Sequence, residues 1–308
     1  MSRYVRVSSI SFGGAGGGGS VEEKVERNLK SALEWIDRAA FDKPDIIVLP
    51  EIFPSAGVGS DGWIETAQPV PGPITEAVGE KARRYNTYIV CPMVERKEGR
   101  IYNSAVLIDR KGQPMGSYHK IHPTIGEIEA GITPGTEPVV FQTDFGRIGC
   151  AICFDLNFRD VIEGLKAKGA EAIFFASMYR GGLQLSIWAF DFGVWMISAT
   201  PGEMSAIVDP LGRVKALSWN YERIISKVIN LDYAVLHIDY NYEKRKEIKA
   251  KYGNGVELDV SAPEGVFCMY SHMPDLTVRQ IMEEFGLESR EEYFARANRI
   301  REKALEKG

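Results

Sequence analysis

The chain has 308 residues, with 37 Lys+Arg against 42 Asp+Glu, four cysteines and four histidines. A formal net charge of −5 is unlike the clustered basic character of nucleic-acid-binding domains, so no nucleic-acid partner is expected. The 44% hydrophobic and 26% charged content is that of a folded globular chain, and no apolar run approaches the roughly 18 residues of a membrane span. No membrane association is expected. The opening Met1-Ser-Arg-Tyr-Val has no apolar signal region, and the few scattered cysteines make no disulfide framework; both point to the cytoplasm.

A first strand is predicted over residues 4–12. The glycine-rich run at 13–19 is followed by Ser20-Val21 rather than the Lys-Ser/Thr of a phosphate-binding loop, and reads as a plain connection. Ser20 and Glu23 have capping-box spacing. Val21, Val25, Leu29, Ala32, Ile36 and Ala39 then recur at steps of three and four, which predicts a helix with one apolar face. The run Asp45-Ile-Ile-Val-Leu49 is a short strand whose apolar residues suggest burial on both faces. A helix over about 74–85 leads to a strand at 87–94, and strands near 101–109 and 114–119 follow across an Arg110-Lys-Gly-Gln113 turn. Strands at 138–143 and 147–152 form a hairpin, followed by a helix at 159–168 and a strand at 172–176. Further strands fit 194–199, 204–208, 214–216 and 224–228. This mixed order predicts an α/β fold with helix layers on large sheets. No linker is visible, so one domain is expected over 1–270, with a helical extension at 271–308. Its two helices, 277–285 and 290–305, are separated by Gly286, and Val278, Ile281, Met282, Phe285, Tyr293 and Phe294 should bury against the body or a second subunit.

Cys150-Ala-Ile-Cys153 is the first chemical question. A zinc site needs four ligands, and only Cys91, Cys268 and scattered histidines remain. A redox dithiol opens a helix directly after a strand, whereas the next helix here is predicted only from Arg159. The remaining reading is one functional thiol and one bystander: Cys150 within the strand as a small hydrophobe, and Cys153 at the strand's end. A nucleophilic thiol needs a base and a charge stabiliser. Three apolar strands end in such groups: Ile47-Val-Leu-Pro-Glu51, Tyr118-His-Lys-Ile-His122 and Ile148-Gly-Cys-Ala-Ile-Cys-Phe-Asp155. Strand edges of that kind gather ligand sites in α/β folds.

In this order the three motifs resemble the nitrilase, or carbon–nitrogen hydrolase, superfamily and its amidase-like branch. The match runs from Tyr4 to about Val228 and includes Thr133-Pro-Gly135 and Ser205-Ala-Ile-Val-Asp-Pro-Leu-Gly212. The resemblance implies a four-layer α-β-β-α sandwich. It implies Cys153 as nucleophile, Glu51 as general base and Lys120 as charge stabiliser, with the oxyanion facing Lys120 and the Phe154 N–H. A second active-site glutamate is Glu127 or Glu129; the seven-residue spacing from Lys120 favours Glu127 as catalytic and leaves Glu129 as substrate-binding. Asn157, Ser177, Tyr179 and Arg180 join Phe154 as substrate-binding candidates, with Trp188 beside them. The chain departs from the family at Phe158-Arg159-Asp160, at the short Ser177–Ala189 segment and at the clipped Thr200–Ser205 connection. Phe154-Asp155 after the nucleophile matches amidase and carbamoylase branches, which implies a small amide or N-carbamoyl substrate and water, hydrolysed through a thioester without metal or organic cofactor. Nitrile hydrolysis is the neighbouring alternative. The family's habit also implies a homodimer or higher homo-oligomer. Competing readings are a Cys–His hydrolase using His119 or His122, a redox dithiol, and a non-catalytic binding protein.

Overall fold

The computed structural model describes residues 3–306. The chain divides into two compact units, Val5–Ile229 and a second comprising the chain from Asn230 onward with the N-terminal residues up to Tyr4.

The elements run β1 (Tyr4–Ile10), α1 (Val21–Ala39), β2 (Ile46–Val48), α2 (Pro73–Tyr85), β3 (Tyr88–Lys97), β4 (Arg100–Ile108), β5 (Pro114–His119), α3 (Ile125–Glu129), β6 (Val140–Gln142), β7 (Arg147–Ile152), α4 (Arg159–Ala167), β8 (Ala172–Ala176), α5 (Leu183–Phe192), β9 (Trp195–Ala199), β10 (Ala206–Val208), β11 (Val214–Leu217) and β12 (Ile224–Asn230). The Ser20–Glu23 capping box forms as its spacing predicts and starts α1 at Val21. One sheet has the order β12-β1-β2-β3-β4-β5 and the other β11-β10-β9-β8-β7-β6. Each has a parallel centre, β1-β2-β3 in one and β7-β8-β9 in the other. Antiparallel strands flank both centres.

Parallel strands covered on both faces read as unbroken apolar runs, and β2 and β8 are such runs. Ile47 of β2 joins Ile36 of α1 and Val78 and Ala82 of α2 in one core; Ile46 and Val48 therefore point the other way. Ile173 and Phe175 of β8 join Ile162 and Leu165 of α4 and Trp188 of α5 in a second core, which leaves Phe174 on the opposite face. β2 lies against β8 and β9, and β4 against β7, so the two sheets face each other with a helix pair outside each. The Ser9 hydroxyl crosses between them to the Ser198 carbonyl at 2.6 Å. This is the expected α-β-β-α sandwich. Trp188, a pocket candidate from the sequence, is 4% exposed within the outer core and lines no site.

The second unit carries β13 (Tyr233–His237), α6 (Lys244–Tyr252), β14 (Val256–Ser261), β15 (Val266–Ser271), α7 (Val278–Phe285) and α8 (Arg290–Leu305). Its antiparallel sheet, ordered β13-β15-β14, shares one core with the helices through Leu236, Ile248, Phe267, Met269, Val278 and Ile281. The expected division after residue 270 falls inside β15, because this sheet and the terminal helices bury one another. Val278 and Ile281 are buried as expected, and Met282, Phe285 and Tyr293 are half-buried. Phe294 departs from expectation and is 49% exposed, since α8 has no continuous apolar stripe. Among the described residues no helix is long and apolar enough to cross a membrane.

Candidate active site

The site lies at the C-terminal ends of β2, β5, β7 and β8. Glu51 follows β2 through Leu49-Pro50, and Ile52 then turns the chain with φ 38°. Cys153 follows β7 directly with φ 47°. A left-handed backbone at a β-branched or thiol-bearing residue costs on the order of 1–3 kcal/mol and persists where the surroundings enforce it. Sequence reading placed no helix before Arg159; a 3-10 turn over Cys153–Asn157 in fact starts at the cysteine itself. Its leading N–H groups, that of Phe154 among them, have no carbonyl partner within the turn.

Glu51, Lys120 and Glu127 are almost wholly buried, at 3%, 1% and 3% exposed. Buried charges must pair. The Lys120 ammonium donates to Glu51 Oε1 at 2.9 Å and to Glu127 Oε1 and Oε2 at 3.0 and 2.7 Å. Glu51 Oε2 accepts the Met178 backbone N–H at 2.8 Å. The Cys153 thiol lies against that same N–H and the Ser177 side chain. Burial first, then the Glu51 charge, pushes the thiol up to about 12, with Lys120 opposing; at neutral pH the resting group is the thiol beside a base. For Lys120, burial works against the charge, but Glu51, Cys153 and Glu127 outweigh it and hold the ammonium above its usual range.

The chain is pinned on both sides of the lysine. Lys120 N–H donates to the Asn103 carbonyl at 2.9 Å, and its own carbonyl accepts the Gly135 N–H at 2.8 Å. A Cβ at Gly135 would overlap the His119 carbonyl, which explains the Thr133-Pro-Gly135 motif: only glycine allows this approach.

Helix geometry places the two glutamates differently. Thr124 caps α3, with the Thr124 N–H donating to Glu127 Oε2 at 2.7 Å and the Glu127 N–H to Thr124 Oγ1 at 3.3 Å. That aims Glu127 inward. Glu129 lies about 200° further round the helix, is exposed, and is not brought into the site, contrary to its substrate-binding assignment.

The other substrate-binding candidates fall into two groups. Ser177 is fully buried; beside the thiol, its Oγ accepts the Tyr179 N–H at 3.0 Å. Tyr179, Arg180 and Met178 line an open cavity of about 550 Å³ with Gln184, Thr200 and Pro201. Burial pushes the Tyr179 hydroxyl up to about 12. Arg180 pairs with Glu203 at 3.2 Å. Asn157 is exposed at the rim, donating to the Phe154 carbonyl at 3.1 Å and accepting from Gln184 at 2.8 Å. The Phe154 ring packs edge-on against Phe158 at 5.2 Å.

Two residues of the site escaped the sequence reading. Asn103, in β4, donates through Nδ2 to both Glu51 Oε1 and Glu127 Oε1 at 2.8 Å. Gln184 joins Asn157 and Tyr179 across the cavity rim. The histidines are occupied elsewhere: His119 bonds to Glu95 at 3.2 Å and stacks on Tyr102, and His122 bonds to Asp160 and stacks on Phe158. Cys150 is fully buried, and burial pushes its thiol up to about 12, the behaviour of a small hydrophobe.

This sandwich and site can be set beside known proteins. A crystal structure of Saccharomyces cerevisiae Nit3, a nitrilase-superfamily member, superposes with TM-score 0.65 at 22% identity, covering 74% of this chain and 90% of Nit3. An amidase from Nesterenkonia sp. superposes with TM-score 0.65 at 18% identity, covering 82% and 97%; both show likeness of fold. In sequence, the omega-amidase NIT2 of Xenopus tropicalis is 27% identical over 232 residues, covering 67% of this chain and 84% of that protein. The human omega-amidase NIT2 is 25% identical, covering 66% and 83%. The carbon-nitrogen hydrolase family model matches residues 14–236, a stretch that holds Glu51, Lys120, Glu127 and Cys153, and by that match the chain belongs to the carbon–nitrogen hydrolase family.

Proposed function

We propose that the protein is a cysteine-dependent amidase that hydrolyses a small amide or N-carbamoyl compound through a thioester on Cys153. The observation that carries this reading is the convergence of Glu51, Lys120 and Cys153 in one buried site, with the Glu51 carboxylate and the thiol both against the Met178 N–H. Glu51 takes the thiol proton as sulfur attacks the carbonyl carbon, so the thiolate forms only as it is used. Charge building on the carbonyl oxygen meets the Lys120 ammonium and the Phe154 N–H; one such donor is typically worth about 3–4 kcal/mol in the transition state. Glu51 returns the proton to the departing ammonia or amine. It then deprotonates the water that cleaves the thioester, releasing the acid and the thiol. Glu127 and Asn103 hold Lys120 and Glu51 in place throughout.

The omega-amidase and amidase relatives support an amide over a nitrile. The cavity lined by Tyr179, Arg180 and Gln184 offers polar side chains for the rest of the substrate. The test is ammonia release by the purified protein across short amides, N-carbamoyl amino acids and nitriles, with mass spectrometry for an acyl adduct on Cys153. Turnover of an amide that survives in Cys153→Ala would overturn the reading, and turnover confined to nitriles would replace its substrate class.

A further inference from the structure

One buried acid takes no part in the bond-making steps above. Asp155 is 0% exposed and stands two residues beyond Cys153 in the 3-10 turn. Its Oδ2 accepts the Tyr118 hydroxyl at 2.7 Å and the Ile152 N–H at 2.9 Å; its Oδ1 accepts the His122 N–H at 2.9 Å. Ile152 is the residue immediately before the nucleophile. Tyr118 and His122 stand two residues to either side of Lys120. One carboxylate therefore joins the two segments, from facing sheets, that carry the thiol and the ammonium.

We propose that Asp155 is a positioning residue, whose ionised carboxylate sets the separation of Cys153 and Lys120 by holding Ile152, Tyr118 and His122 at once. The proposal rests on the reading of Cys153 as nucleophile. Two physical arguments support it. The left-handed backbone at Cys153 needs an enforcing contact, and the bond from Ile152 N–H to Asp155 closes the turn around that residue. The Ile152 and His122 N–H groups can only donate and the Tyr118 hydroxyl is turned to donate, a set that an ionised carboxylate accepts in full. A protonated acid or an amide would turn a hydrogen toward one of the three.

The charge state is poised to matter. Burial, opposed by the bonds from Tyr118, His122 and Ile152 and by the Lys120 charge, holds the Asp155 carboxyl up at about 6. The titratable groups around it are Tyr118 and Lys120 from the β5 segment and Tyr179 after β8; the His122 imidazole is turned to Asp160. A folded-state value above the ordinary 3.8 means that this carboxyl favours the folded state most at low pH. That contribution fades as pH rises through about 6. Activity runs the other way, rising through the same range as the clamp ionises. A purely structural acid would not set activity and stability in opposition.

The test uses the full chain as Asp155→Asn and Tyr118→Phe, with kcat, KM, the pH–activity profile, thermal unfolding and the rate of Cys153 alkylation by iodoacetamide. A misplacement of about 1 Å can cost about 100-fold in rate, so kcat in Asp155→Asn should fall about 100-fold with KM changed less than about threefold. The acid limb near pH 6 should disappear, and alkylation should slow. Tyr118→Phe removes one donor to a charged group and should lower kcat about tenfold, with the acid limb moved to higher pH. Either variant turning over and alkylating within about twofold of the wild type, acid limb unchanged, overturns the proposal. Should Asp155→Asn fail to fold, Tyr118→Phe decides alone. Activity that persists in Cys153→Ala defeats the underlying nucleophile reading instead, a result distinct from either of these.

Discussion

Glu51 and Glu127 share their donors: the Lys120 ammonium and the Asn103 amide each bond to both carboxylates. Two buried negative charges thus face one positive charge, and the amide supplies the second donor without adding charge. The arrangement ties Glu51, the proposed base, to Lys120, the proposed charge stabiliser, so neither can shift without the other.

Removing the amide tests that tie. Asn103→Leu keeps the volume and takes one donor from each carboxylate. A hydrogen bond to a charged group is worth about 1.5–3 kcal/mol, so kcat should fall between about tenfold and 100-fold, with a lower unfolding temperature. Asn103→Asp should be worse on both counts, because it places a third carboxylate in the cluster. Steady-state kinetics and thermal unfolding read both. A wild-type kcat in Asn103→Leu would make the amide a spectator.

The Glu127–Lys120 pair should leave a mark on stability against pH. Burial raises the Glu127 carboxyl, but Lys120, Asn103 and Thr124 outweigh it and hold it below the ordinary 4.5. An acid lowered in this way stabilises the fold above its unfolded value, and the gain is lost as pH falls through the folded one. Lys120, raised above its ordinary 10.5, contributes below that value and loses its contribution at higher pH. The pair therefore stabilises across the whole neutral range. Glu127→Gln should cost on the order of 3 kcal/mol near neutral pH, as breaking a buried pair does. Denaturant titrations should show the difference from wild type shrinking toward pH 3.

Thiol chemistry gives a check that needs no substrate. Cys91, Cys150 and Cys268 are fully buried, and Cys153 is half-buried beside a base. Iodoacetamide on the native protein should label Cys153 alone; with the thiol pushed up to about 12, the rate depends on Glu51 taking the proton as sulfur attacks. Glu51→Gln should slow labelling at least about tenfold, a modest share of what a positioned base contributes. Peptide mapping by mass spectrometry reads the site. Equal labelling of Cys150 would contradict the burial described here.

Gly135→Ala probes the lysine from behind. The added methyl would overlap the His119 carbonyl, and the Lys120 segment would have to move. Overpacking of this kind costs about 1–3 kcal/mol. Activity should fall further than the modest drop in unfolding temperature alone implies, since the fraction folded at assay temperature would remain near one.

Much of this was readable in the residues. The start of α1 follows from Ser20 and Glu23, and Glu51, Lys120 and Cys153 announce themselves as polar groups closing apolar strands. The seven-residue spacing from Lys120 favours Glu127 over Glu129, and Thr124-x-x-Glu127 carries in addition the capping-box spacing that turns Glu127 inward. Asn103 could not be found that way. Its place comes from β4 lying between β3 and β5, where Ser104 pairs with His119, a relation between strands that local pattern does not encode. Of the strands from Tyr233 to Ser271, all missed, β14 mixes Glu257 and Asp259 with its apolar residues, so its alternation is faint.

The two sheets divide the chemistry between them. Glu51, Asn103 and Lys120 come from the sheet of β2, β4 and β5; Cys153, Ser177 and Met178 come from the ends of β7 and β8. During synthesis the acids and the ammonium leave the ribosome first, and the thiol emerges later with no base until the sheets close. A nascent or half-folded chain therefore lacks the assembled site, and on the proposed mechanism turnover reports that the sandwich has formed.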